Sequence, residues 1–282
     1  PLMAAPICLM LKRTQLVWFF SIIASGLAFA VSILLLQQVM ASGVISYELG
    51  GWQAPWGIEY RIDKLNAFLL LIISGISTVV LFAAQTSLEK EIPKDKHIYF
   101  YVLYLLSLTG MLGIVATGDA FNVFVFLEIS SLSAYALIGM GNKRQALWAS
   151  YQYLIMGTIG ATFILIGIGL MYQMTGTLNM HDLSQRLPEV EQSRTVLAAF
   201  AFVIVGVCLK LAMFPLHLWL PNAYAYAPSI VTAFFAATAT KVAVYLLIRF
   251  TFSVFGFSFS FTHIPLQTIF MALGLIGIFV AS

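Results

Sequence analysis

Runs of about 20 apolar residues follow one another almost end to end along this chain. After a short apolar start they cover 16 to 40, 64 to 85, 98 to 117, 120 to 140, 147 to 173, 195 to 213 and 229 to 250, with a last one from about 265. A helix that crosses a hydrocarbon layer of about 30 Å needs about that many residues. Charged residues make up only 9% of the 282, against roughly 25% in an ordinary soluble domain, and mean hydropathy is +0.97. The fold class that follows is all-α: a polytopic membrane protein with about nine transmembrane helices and no soluble domain between them. The chain begins in "PLMAAPICLML" and stops inside "IFMALGLIGIFVAS", so it reads as part of a longer polypeptide. It shows no basic start followed by a small-residue cleavage site, the mark of a removable signal peptide.

A formal net charge of +3 is too small to point to nucleic acid. Cys8 and Cys208 stand alone inside apolar runs, which makes them buried small hydrophobes rather than metal ligands or a redox pair. No metal or cofactor is expected. The loops alternate between two sides. One side carries Lys12, Arg13, Lys90, Lys94, Lys96, Lys143 and Arg144, and the other Arg61, Lys64, Arg186, Arg194 and Arg249. Seven against five favours the first side as cytoplasmic.

The tight link "GD" predicts an antiparallel pair of helices with Asp119 as N-cap of the second. "GVISYELGGWQAPWGIEYRID" holds Trp52, Pro55, Trp56 and Tyr60, suited to a headgroup zone, and "GTLNMHDLSQRL" reads as a short interfacial helix with His181 and Asp182 solvated. In "GTIGATF", Gly157 and Ala161 fall four apart, a spacing that lets helices approach closely.

Three ionisable groups remain inside the spans: Glu128, Lys210 and Lys241. A charge at the bilayer centre costs about 2.5 to 3.5 kcal/mol on insertion scales, so such groups face a bundle interior, pair, or line an ion path. A structural ion pair between Glu128 and Lys210 is one reading. One acid and two bases cannot all pair, which favours a second: a polar axis on which lysines change protonation. Burial disfavours an ammonium and a neighbouring carboxylate favours it, so a moving carboxylate switches a lysine. Pro215 lacks an N–H and breaks the helix beyond Lys210, freeing a carbonyl around Leu211, and Pro221 and Pro228 continue the break. Non-helical backbone at membrane depth lines cavities in transporters. His217, in the break, is either a proton relay or a histidine satisfied by a freed carbonyl.

The stretch "KLAMFPLHLWLPNAYAYAPSIVTAFFAATATKVAVYLLIR" with "GDAFNVFVFLEISSLSAYALI" upstream closely resembles the antiporter-like subunits shared by Mrp-type multisubunit sodium/proton antiporters and respiratory complex I. "GGWQAPWGIEYRID" and Lys241 look most like the D subunit of the Mrp system. The resemblance implies about fourteen helices built from inverted five-helix repeats. It places N-terminal helices in 1–97, a first repeat with a broken seventh helix in 98–250, and the start of a second repeat in 251–282. The family's fifth-helix glutamate falls on Glu128, its broken-helix lysine on Lys210 and its eighth-helix lysine on Lys241, while the usual acid of the "LPDA" motif is Asn222 here and a common histidine is Tyr224. The function it implies is a proton-translocating subunit with sodium as the candidate second cation, not an enzyme, in a bacterial inner membrane, with other membrane subunits as partners. The alternatives are a proton-pumping subunit of a redox-driven complex, and a non-conducting assembly scaffold.

Overall fold

The computed structural model describes residues 1–11 and 13–281; Lys12, counted above among the loop charges, and Ser282 lie outside them. Eleven helices run through these residues. They are α1 (Ala4–Met10), α2 (Thr14–Ser42), α3 (Lys64–Glu91), α4 (His97–Ala116), α5 (Ala120–Gly139), α6 (Arg144–Thr175), α7 (Met180–Val190), α8 (Arg194–Leu211), α9 (Trp219–Tyr226), α10 (Ser229–Ile248) and α11 (Leu266–Ala281). Seven are long and apolar enough to cross a membrane; Leu266–Val280 is apolar but shorter. The chain is an all-α integral membrane protein. It follows the hydropathy pattern because, without water in the hydrocarbon, a spanning segment must satisfy its backbone internally.

Against the expectation from the apolar runs, the chain is not wholly helical: in the 43–63 loop β1 (Ile45–Glu48) pairs antiparallel with β2 (Glu59–Ile62), Ile45 opposite Ile62 and Glu48 opposite Glu59. The alternation in "ISYE" and "EYRI" suits a ribbon. Because the hairpin lies outside the apolar runs, its remaining open edge stays compatible with a membrane protein. The tip presents Trp52, 71% exposed, and Trp56, 90% exposed, and exposed indoles favour the headgroup zone.

The hairpin is fastened to the helix ends beside it. Gly118 N–H donates to the Glu59 carbonyl at 2.8 Å, and Met180 N–H donates to the Gly118 carbonyl at 2.8 Å. The buried Glu59 carboxylate accepts from Asn179 Nδ2 at 2.8 Å and Ser46 Oγ at 2.7 Å. Asn179 also caps α7, accepting from His181 N and Asp182 N. The short helix is therefore as expected, but Asp182 is not simply solvated: its Oδ1 accepts from Arg186 Nε at 2.9 Å.

Asp119 caps α5 as the "GD" link predicts, accepting from Asn122 N at 2.7 Å. Asp63 caps α3 by accepting from Leu65 N and Asn66 N, and pairs with Arg249 Nη1 at 2.7 Å. Arg249, assigned to a loop above, instead opens a π-helical extension of α10, Arg249–Val254. It ties the end of α10 to the start of α3.

Burial pushes the Asp63 carboxyl up, but the hydrogen bond and charge of Arg249, with the Asn66 and Leu65 N–H groups, outweigh it and hold it below the usual carboxylate range. Its stabilisation is present above the ordinary carboxylate pKa of about 4 and is lost as pH falls through the lowered value. Asp119 has the opposite sign. Burial raises it beyond what the Asn122 and Phe121 N–H groups offset, so its contribution is present at acid pH and lost as pH rises through the raised value. Asp63→Asn is expected to cost about 1 to 3 kcal/mol at neutral pH, the scale of a hydrogen bond to a charged group. In thermal melts of detergent-solubilised protein, the gap to the unmodified chain should narrow as the pH is lowered through and below the carboxylate range.

Candidate functional site

Helix α8 ends at Leu211, one residue beyond Lys210, because Ala212 turns into the left-handed region at φ 56°. The chain then runs without helix to α9. The break thus starts three residues before Pro215 rather than at it. The freed carbonyl with a side-chain partner is Leu209, not one near Leu211: Trp219 Nε1 donates to it at 3.1 Å. Trp219 stacks on Tyr153 of α6, centroids 4.1 Å apart and planes 1° apart. Tyr153 meets Tyr135 of α5 edge-on at 4.7 Å. Aromatic contacts of this kind fix geometry as well as burying area.

Lys210 therefore occupies the last turn of a helix, where the macrodipole favours a cation. Its Nζ donates to Ser131 Oγ of α5 at 2.7 Å. Glu128 lies one turn before Ser131 on the same face of α5 and is half-buried. The ion pairs within 4 Å among the described residues are Arg61–Glu59, Arg186–Asp182 and Arg249–Asp63. Glu128 and Lys210 thus feel each other's charge without being joined. The Oε1 atom of Glu128 is buried and has no hydrogen-bond partner in the protein. Such an atom carries a desolvation cost, and the structural ion pair among the readings above is not formed in this conformation.

A cavity of about 50 Å³ starts at Lys210 and is bounded by Ser107, Ser131, Tyr153 and Tyr224, with Thr240 of α10 also in its wall. That volume admits water. Lys241 is next along the chain and exposed on this chain's own surface, not turned into the interior as the three-residue axis anticipates. Its Nζ donates to the Ala236 carbonyl at 2.6 Å and to Thr240 Oγ1 at 3.3 Å. The cavity wall thus reaches the residue that holds Lys241. His217 lies outside that wall. Its ring sits 5.5 Å from that of Phe214, and its Nδ1 is buried without a partner. The freed carbonyl goes to Trp219, not to His217.

A sequence profile described as NADH:quinone oxidoreductase/Mrp antiporter, TM, matches residues 117–282, the segment that carries this site. The chain belongs to the NADH:quinone oxidoreductase/Mrp antiporter transmembrane family. It is 44% identical over 228 residues to the N subunit of the NADH-quinone oxidoreductase of Desulforudis audaxviator, a match that covers 77% of this chain and 45% of that protein. It is 34% identical over 284 residues to the D subunit of the Na(+)/H(+) antiporter of Bacillus subtilis, covering 98% of this chain and 56% of that one. A chain in the Mrp complex from Dietzia sp. DQ12-45-1b superposes with a TM-score of 0.81 at 27% identity, covering 90% of this chain and 47% of its own length. The chain thus spans about half the length of the relatives it matches.

Trp219, Tyr153 and Thr240 carry no mark in the sequence that separates them from other residues of the spans. Ser131 has one, since it stands three residues after Glu128 and three apart means one helix face. The small residues of α6 work in two directions. Gly160 lies against Gly206 and Leu209 of α8, and Gly157 lies under the Tyr135 hydroxyl of α5. Gly157 and Ala161 are both buried. Gly157→Leu should displace Tyr135, disturb the Tyr135–Tyr153–Trp219 stack, and lower the yield of folded protein several-fold. Gly169→Leu, on the same helix with nothing within 4 Å of its added Cβ, should leave it unchanged. Fluorescence-detected size exclusion of the two variants distinguishes these outcomes.

Proposed function

We propose that this chain forms the first half-channel of a proton-translocating subunit in a multisubunit cation/proton antiporter of a bacterial inner membrane, with sodium as the coupled cation and other membrane subunits as partners. In this reading Lys210 gives up and regains a proton, Glu128 sets when it does so, and Lys241 receives the proton laterally. The observation that carries it is Lys210 at a broken helix end, held on a hydroxyl beside an unpaired carboxylate and lining a cavity that reaches the Thr240 partner of Lys241. A permanent ion pair would need none of that equipment. Membership of the family and the likeness to the antiporter's D subunit support it.

The steps follow from elementary electrostatics. With the Glu128 carboxylate close, the ammonium is favoured and Lys210 holds its proton; with the carboxylate withdrawn, desolvation dominates and the proton leaves. A membrane potential is worth about 2.3 kcal/mol per charge per 100 mV, comparable with gaining or losing one charged hydrogen bond at about 1.5 to 3 kcal/mol. Potential and pairing can therefore drive each other. His217 takes the role of a proton relay at the break, its buried Nδ1 being without a protein partner.

The 44% identity to an oxidoreductase N subunit favours a second reading, in which the same site pumps protons under redox drive. The proteins that co-purify with the full-length chain decide between them, hydrophilic redox subunits supporting the second. Both readings share the lysine. In proteoliposomes containing the complete complex, Lys210→Ala and Lys210→Arg should both reduce proton transport to background while the complex assembles. Arginine keeps the charge but does not deprotonate in a protein. Glu128→Gln should slow transport roughly ten-fold without abolishing it. An unmodified rate with Lys210→Arg would make the lysine structural and remove the proton-carrier reading.

A further inference from the structure

We propose that Ser131 is the positioning residue that holds Lys210 apart from Glu128, and that it does so for both the charged and the neutral form of the lysine. The inference rests on the proton-carrier reading above and adds to it the group that sustains the separated state.

The chemistry of the two possible partners differs. A carboxylate only accepts, so Glu128 satisfies an ammonium and offers nothing to the lone pair of an amine. A hydroxyl both donates and accepts. Ser131 Oγ accepts from Lys210 Nζ at 2.7 Å, and by rotating its proton it donates to the same nitrogen once that nitrogen is neutral. Without such a donor the neutral amine would depend on a water in the small cavity to satisfy its lone pair. Ser131 is 4% exposed, so bulk water does not substitute for it.

The surroundings leave Ser131 as the close partner. The titratable and polar groups around Lys210, besides Ser131, are Glu128, Ser130 and Tyr135 from α5, Tyr153 from α6, Cys208 on α8 itself and Tyr224 and Trp219 from α9; α4 offers Ser107, and α10 offers Thr240 with Lys241 beyond it. The Tyr135 hydroxyl is turned under Gly157, near Ser131 and Thr158 rather than Lys210. Glu128 keeps Oε1 unpartnered one turn away, poised to take the lysine back. Ser131 and Glu128 share one face of α5, so a small rotation or slide of α8 passes the nitrogen from one to the other.

The test uses the complete complex in proteoliposomes, with proton transport followed across pH for Ser131→Ala, Ser131→Thr and Lys210→Arg. Alanine should slow transport roughly ten-fold at neutral pH and move the pH profile toward alkaline values, since the lysine then rests only on the carboxylate. Threonine keeps the hydroxyl at a position that borders the cavity, and it should restore both rate and profile. An unmodified rate and profile with Ser131→Ala, alongside inactive Lys210→Arg, would overturn the role of Ser131 and leave the proton-carrier reading standing. Transport at the unmodified rate with Lys210→Arg would sink that reading instead. A Ser131→Ala variant that is slower but keeps its pH profile, or a threonine variant as slow as alanine, would make Ser131 a packing residue and also overturn the inference.

Discussion

A small set of hydrogen bonds lets this chain stop being a helix inside a membrane: Ala212 N–H to the Leu209 carbonyl at 3.2 Å, Met213 N–H to the Cys208 carbonyl at 3.0 Å, and the Trp219 indole N–H to that same Leu209 carbonyl at 3.1 Å. In hydrocarbon an orphaned carbonyl costs several kcal/mol, so a break at Ala212 depends on donors turned back onto the last carbonyls. The indole is in turn immobilised on Tyr153, and Tyr153 on Tyr135. The break is thus braced by three helices through side chains other than Lys210.

Close backbone approach supplies the frame for that brace. Gly160 and Gly206 bring α6 against α8, and Gly157 admits the Tyr135 hydroxyl from α5. In lipid, apolar surface gives little drive for helices to associate, so packing at small residues and a few interhelical polar contacts supply it. The cavity beside Lys210 is small, about 50 Å³, a volume on the scale of a few waters.

What could be read from the sequence follows the range of each interaction. Spans and the Asp119 cap were legible because hydropathy and capping are local. Glu128, Lys210 and Lys241 stood out because a charge in an apolar run is costly wherever the fold puts it. The β-ribbon was missed, although "ISYE" and "EYRI" alternate, because an aromatic-rich loop between spans also fits the headgroup zone. The pairing of Arg249 with Asp63 spans 186 residues, and the capture of the Leu209 carbonyl depends on how the chain returns after the break; neither has a local signature. Lys241 shows a limit of another kind. A buried-charge argument states that a residue needs protein around it, not which part of the polypeptide provides it.

The fastening of the hairpin has an electrical consequence. Its exposed indoles settle at the height of the lipid headgroups, and the Glu59–Gly118–Met180 bonds transmit that height to the start of α5. Ser131, eleven residues along α5 from Ala120, then lies about 16 Å below that plane at 1.5 Å per residue. On the proposed proton-carrier role of Lys210, the fraction of the transmembrane voltage crossed before that site is therefore a fixed length divided by the bilayer thickness. In a thinner bilayer the same length of about 16 Å spans a larger share of the field, so lipid chain length alone would retune how strongly voltage loads this site.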